Sequence, residues 1–220
     1  MGKNFFMCLK RAGALALAAA LSLPCGARAA DDLSVEARSE GDAIRVSARA
    51  TLEAPHALVW ETLTDYDRLY QFIPGMEKSR LLEMRGPAAI VEEKGEARFL
   101  FFSYAIEVTV ASVHRPPDTI EIHLVKGNLK KLEGAYRIEA QPDGKLVLHW
   151  TGLIAPAISL PGFVSTYLMR ANVEDQFRGM VEEIERRERA RRAAAPPSAS
   201  PAKPASGGTP KEARDRRPPG

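Results

Sequence analysis

Between residues 35 and 153, apolar and polar side chains alternate in short runs, each broken by Gly, Pro, Asn or Asp. A period of two marks extended backbone with one buried face, because successive side chains point to opposite sides. Residues 35–38 and 44–52 flank Glu40-Gly41-Asp42 and predict an opening hairpin. Pro55 then opens a helix in its first turn, where a missing N–H does no harm, and Leu58, Val59 and Leu63 form that helix's apolar face. Asp65 is placed to cap a second short helix that Pro74-Gly75 ends, with Asp67 in its first turn. Six strands are expected next, at residues 78–85, 89–98, 103–113, 119–126, 132–140 and 145–153. Arg85-Gly86-Pro87, Arg115-Pro116-Pro117-Asp118, Lys126-Gly127-Asn128 and Pro142-Asp143-Gly144 supply turns between them.

The alternation also assigns faces. Tyr104, Ile106, Val108 and Val110 share one side of their strand, as do Ile120, Ile122 and Leu124, then Tyr136 and Ile138, then Leu146, Leu148 and Trp150. Glu107, Thr109, Glu121, His123, Arg137, Glu139 and His149 fall on the other side, so the sheet is antiparallel, wet on one face and covered on the other. After Leu160-Pro161-Gly162, a helix of more than twenty residues runs to about Arg189. No other predicted element is large enough to cover the inner face.

The two ends lack this pattern. Lys3, Lys10 and Arg11 precede an uncharged apolar stretch, Ala12 to Leu23, and Ala27-Arg28-Ala29 follows, which together read as a secretory signal peptide over residues 1–29. The stretch falls short of the ~20 residues of a spanning helix, so the mature chain is expected to be released and to be periplasmic or secreted. Pro24 stands where lipidation signals carry a small residue, which argues against an anchor at Cys25. Cys8 and Cys25 both leave with the leader, so the domain, residues 30–189, relies on a core instead of disulfides. Residues 190–220 are Ala, Pro, Ser, Gly and charge with no aromatic, a composition that cannot offset its ordering entropy and predicts a disordered basic tail. Without leader and tail, the body through residue 185 carries 17 basic and 25 acidic residues. An acidic body is not a nucleic-acid surface. The basic tail suits transient contact with an anionic membrane surface or cell-wall polymer, or is only a solvated extension.

The element order, together with Ala54-Pro55, Val59-Trp60, Leu63-Thr64-Asp65-Tyr66-Asp67-Arg68, Phe72-Ile73-Pro74-Gly75, Glu133-Gly134-Ala135-Tyr136 and Leu160-Pro161-Gly162-Phe163, resembles the polyketide cyclase and coenzyme Q-binding branch of the START-like SRPBCC superfamily. The resemblance covers residues 43–187. It implies an α+β helix-grip fold, a curved antiparallel sheet wrapped around the long C-terminal helix with an apolar ligand between them. It also implies that the cavity opens at strand turns, one of them Phe99-Leu100-Phe101-Phe102-Ser103, and at the loop before the long helix. Such a fold hosts carriers, receptors and a minority of cyclases, so it does not settle function.

Eight residues are candidates for ligand binding. Phe99 and Phe101 lie on the apolar hairpin tip, unless the strands run further and make those rings ordinary core. Tyr104 and Tyr136 join an apolar strand face to a hydroxyl that needs a partner when buried. Phe163 and Tyr167 share one face of the long helix, and Arg170 and Glu174 lie between that face and the one formed by Val173, Phe177, Met180, Val181 and Ile184. With four-residue spacing, Arg170 and Glu174 either offer a charged pair to a ligand's head group or solvate the cavity rim. His56, His114, His123 and His149 show no zinc spacing, and Ser103, Ser159 and Ser165 have no partner motif, so neither metal nor cofactor is expected and no catalytic residue is assigned. The leading expectation is a non-catalytic binding or carrier protein for a hydrophobic small molecule: a quinone, isoprenoid or lipid. A polyketide cyclase/dehydrase-type enzyme and a ligand-free interaction protein are the alternatives. Oligomeric state is open.

Overall fold

The computed structural model describes residues 32–99, 102–158 and 162–195. The expected leader and almost all of the expected tail lie outside these residues. Strands β1 (Ser34–Glu40) and β2 (Ala43–Leu52) form the opening hairpin, followed by α1 (His56–Leu63), a single 3₁₀ turn at Leu69–Gln71, six strands and a long helix. The six strands are β3 (Met76–Arg85), β4 (Ala88–Phe99), β5 (Phe102–Arg115), β6 (Thr119–Gly127), β7 (Leu129–Ala140) and β8 (Leu146–Pro156), and the helix is α2 (Gly162–Ala194). They make one antiparallel sheet in the order β1-β2-β8-β7-β6-β5-β4-β3. The α+β helix-grip expectation is therefore met: α2 packs against β1, β2 and β4 and against α1.

Strand polarity follows the expected parity. Glu107, His123, Arg137 and Glu139 are exposed, whereas Val108, Val110, Ile120, Ile138, Leu148 and Trp150 are buried. Thr109 departs from it: it is buried although its strand parity points outward. The core gathers Val46 and Leu52 of β2, Val59 of α1, Leu148 of β8 and Val181 and Ile184 of α2, each fully shielded from solvent. Full burial of such side chains contributes ~1.5–3 kcal/mol apiece. Irregular register between Leu81 and Glu83, at Thr109–Val110 and between Leu129 and Lys131 adds bends of the kind that curve a sheet.

Three local expectations need correction. Pro55 is the N-cap of α1 and not its first residue; its carbonyl accepts from Leu58 N–H at 3.0 Å and Val59 N–H at 3.2 Å. Asp65 does not cap the 3₁₀ turn, whose N-cap is Arg68 with no side-chain cap bond. The Asp65 carboxylate instead accepts from Arg68 and, at 2.7 Å, from Arg187 of α2, a demand from a distant element that outweighs the local one. Asp67 accepts from the Leu81 N–H at 2.9 Å and so holds the middle of β3. Finally, α2 continues past Arg189 to Ala194, because Arg191 and Arg192 both bind Glu188 and Arg192 also donates to the Glu53 carbonyl.

One close approach sets the path of α2. A Cβ on Gly179 would meet the Phe72 carbonyl at 2.4 Å and Pro74 Cδ at 2.5 Å. The Phe72-Ile73-Pro74-Gly75 segment therefore lies directly on the helix backbone at a position where only glycine fits. Arg187, one face further along, stacks its guanidinium over the Phe72 ring at 5.5 Å.

Candidate functional site

Between the inner face of the sheet and α2 lies a cavity of about 230 Å³. It is larger than the ~150 Å³ that accommodates benzene in an apolar core, and below the ~300–1,000 Å³ of sites for drug-sized ligands. Most of its wall is hydrocarbon: Ile106 and Val108 of β5, Ile120 and Ile122 of β6, Leu132 of β7, Trp150 and Ile154 of β8, and Leu168, Met169, Val173 and Phe177 of α2. Gly152 leaves the room that the Trp150 indole occupies, since a Cβ there would fall 2.2 Å from the indole Cη2. Ala97, Tyr104, Pro156, Ile158 and Ser165 also line it.

The charged residues of the wall are Glu93, Lys94 and Glu96, all on β4. Glu93 sits on β4 between Val91 and Gly95, at the parity that faces inward, opposite Ser79 of β3 and Val108 of β5. It is half-buried and lines the cavity. Burial alone pushes its carboxyl up to about 7, because removing a carboxylate from water without a compensating charge favours the neutral acid. None of the hydrogen bonds or ion pairs among the described residues involves this carboxyl.

Two tyrosines feel its charge. Tyr136 is raised well above the ordinary phenol range, first by burial and then by Glu93. Tyr66 is pushed up to about 12 by burial, with the Ser112 hydroxyl working in the opposite direction and the charge of Glu93 adding to the rise. The Tyr66 hydroxyl lies 2.7 Å from Nε2 of His114, whose imidazole burial holds below its usual value and hence neutral at pH 7. Trp60 meets the same imidazole edge-on at 5.7 Å. On α2, Gln176 donates to Asn172 at 3.2 Å, and both amides line the cavity.

The expected site residues separate into groups. Tyr104 and Tyr136 both line the cavity, Tyr104 with its hydroxyl donating to the Asn128 carbonyl at 2.6 Å. Phe101 lies outside the described residues; of Phe99 and Phe163 only the backbone is described, Phe99 pairing with Phe102 at the end of the β4–β5 hairpin. Tyr167, Arg170 and Glu174 do not line the cavity. The line through Ser165, Asn172 and Gln176 faces it, and in a helix that turns ~100° per residue Tyr167, Arg170 and Glu174 lie about 200°, 140° and 180° from that line. Tyr167 is accordingly 56% exposed. Arg170 donates to the Val35 carbonyl at 3.0 Å and pairs with Glu174 at 3.2 Å, so the pair ties α2 to the edge strand β1.

Glu93, Ser112, His114, Asn172 and Gln176 were not singled out by the sequence pattern, although part of the signal was present. Ala89, Val91, Glu93, Gly95 and Ala97 share one parity, which places an acid in an otherwise small and apolar row. Ser112 and His114 continue the row of Tyr104, Ile106, Val108 and Val110. Nothing local marks Asn172 and Gln176. Of the other histidines, His123 and His149 are on the outer face near Glu121 and Glu139.

Residues 52–187 match the sequence profile of the family described as polyketide cyclase / dehydrase and lipid transport. The chain belongs to this family. Solved structures share the fold at low identity. The Zhui aromatase/cyclase from Streptomyces sp. R1128 is 20% identical, with a TM-score of 0.58 over 68% of this chain and 98% of that one. A STAR-related lipid transfer protein from Xanthomonas axonopodis is 12% identical, with a TM-score of 0.58 over 70% and 93%. Human STARD10 is 12% identical, with a TM-score of 0.57 over 74% and 73%. No match was found among curated proteins. At such identities the neighbours speak for the fold, and function has to be argued from the cavity.

Proposed function

We propose that this family member is an exported binding or carrier protein that holds one hydrophobic small molecule, a quinone, isoprenoid or lipid, between its sheet and α2. The observation that carries the reading is the cavity: a mainly apolar wall, large enough for a ring system, that includes the Glu93 carboxyl. Walls of that composition bind by excluding water from the ligand and orient it through a small number of hydrogen bonds. The family's association with lipid transport supports the same reading. A filled core would have favoured the ligand-free interaction protein.

A cyclase or dehydrase is the second reading, favoured by one feature. A carboxyl that titrates near neutrality inside an apolar cavity has the pKa of an effective proton donor and acceptor. Purification from the native periplasm under mild conditions, native mass spectrometry and organic extraction distinguish the readings. The carrier reading expects one apolar molecule per chain, released unchanged after prolonged incubation. Conversion of that molecule on the protein supports the enzyme. Protein that is empty and binds no apolar fluorophore overturns both.

A further inference from the structure

Two polar groups face the cavity without a protein partner. The Glu93 carboxyl and the Tyr136 hydroxyl both line it, and neither takes part in a hydrogen bond or ion pair among the described residues. Tyr104 differs, because its proton is already given to Asn128. So does Tyr66, whose hydroxyl is engaged by His114. No fully buried side-chain polar atom among the described residues lacks a partner; these two half-buried groups instead keep surface open to the cavity, and with the charge of Glu93 acting on Tyr136 they mark where a ligand's polar atom belongs.

We propose that Glu93, in its protonated form, and Tyr136 are paired hydrogen-bond donors for the carbonyl oxygen of a neutral ligand, a ketone, quinone or ester. This rests on the binding-protein reading and names the ligand chemistry of that cavity. A neutral carboxylic acid and a phenol each offer one O–H, and an sp² oxygen accepts two bonds through its two lone pairs. An apolar site that keeps a carboxylic acid neutral so that it can donate is an established physical arrangement.

The surroundings of Glu93 favour the neutral acid. Ser79 of β3 and Val108 of β5 are its register partners, Tyr66 and Tyr136 line the same cavity, and His114 is hydrogen-bonded to Tyr66. None of these is a cation at pH 7. The residues of α2 that line the cavity include no titratable side chain. Lys94 and Glu96 flank it on β4 and also line the cavity, and the Lys94 ammonium is taken up by Glu107 at 3.1 Å. A cationic ligand would have to bury two charges here, which costs several kcal/mol per ion unless further bonds complete both shells.

The test uses two neutral naphthalene probes of one shape, 6-propionyl-2-(dimethylamino)naphthalene and its 6-propyl analogue, with the full chain and three variants whose folding is checked by circular dichroism. The readout is the ratio of the two affinities. Glu93→Leu is expected to lower the preference for the ketone by about three- to tenfold, the value of one hydrogen bond, and Tyr136→Phe by a similar factor. Glu93→Gln, which keeps a donor, retains the preference and loses its pH dependence. In the unaltered chain the preference for the ketone falls as pH rises from 6 to 8.5, because the carboxylate no longer donates. An unchanged ratio in Glu93→Leu overturns the proposal while leaving the cavity reading intact. Displacement of the ketone by a long-chain primary amine that strengthens with pH overturns it in favour of a carboxylate counter-ion. If neither probe binds the unaltered chain, the binding-protein reading itself fails.

Discussion

At the scale of single residues, Glu93 shows how position and environment separate. Strand parity sends its side chain inward, and nothing waits there to neutralise it, so burial raises its carboxyl from the usual 4.5 to about 7. An acid whose pKa is higher folded than unfolded binds its proton more tightly in the native state. Its contribution is therefore fully present below about pH 4.5 and is lost as pH rises through 7. Glu93→Gln should be more stable than the unaltered protein at pH 8, by as much as about 3 kcal/mol, with the gap closing by pH 4.5. Denaturant melts of both proteins at the two pH values check this. A gap that instead widens toward acid would mean that the folded protein holds Glu93 ionised.

At the scale of elements, α2 is held by both faces. Its apolar stripe of Val173, Phe177, Met180, Val181 and Ile184 is buried, as its spacing suggests. Further along, Arg187 bridges Asp65 and Glu183, each at 2.7 Å, and stacks on Phe72. Asp65 and Arg187 side chains are both 14% exposed, whereas Arg68, the other partner of Asp65, is 58% exposed. Hydrogen bonds from both arginines hold the Asp65 carboxyl below its usual value against the opposing effect of partial burial. Asp65→Asn is expected to destabilise the fold by about 1–3 kcal/mol, since a shielded charge loses its partner. Arg68→Ala should cost under ~1 kcal/mol, the usual yield of an exposed ion pair. Equal melting shifts for the two variants would place the anchor elsewhere.

At the scale of the whole molecule, the apolar stretch at residues 12–23 after Lys3, Lys10 and Arg11 directs the domain to a compartment outside the cytoplasm in the reading proposed above. Residues 1–35 fused to a reporter active only after export should confer activity, and the mature chain should begin at Ala30 or Asp31. An intact N-terminus recovered from a membrane pellet contradicts this. Export and cavity are independent features, so either can fail without the other.

Element order and strand faces were legible in the amino-acid sequence because both are local. Alternation has two outcomes only, and glycine and proline punctuate it, so all eight strands and both helices could be placed. The parity rule, carried along β4 and β5, also brings Glu93, Ser112 and His114 inward. The helix was less legible for a physical reason. At ~100° per residue, several stripes of α2 look comparably apolar, and which one meets the cavity depends on how the helix crosses the curved sheet. That crossing, fixed in part by Phe72 and Pro74 resting on Gly179, turned Tyr167, Arg170 and Glu174 away and brought Asn172 and Gln176 in. Asp65 likewise answered to Arg187, a residue 122 positions away. Sequence determined which groups each strand presents; tertiary structure alone decided how much water, and which partners, they keep, and desolvation by distant elements is what gives Glu93 its chemistry.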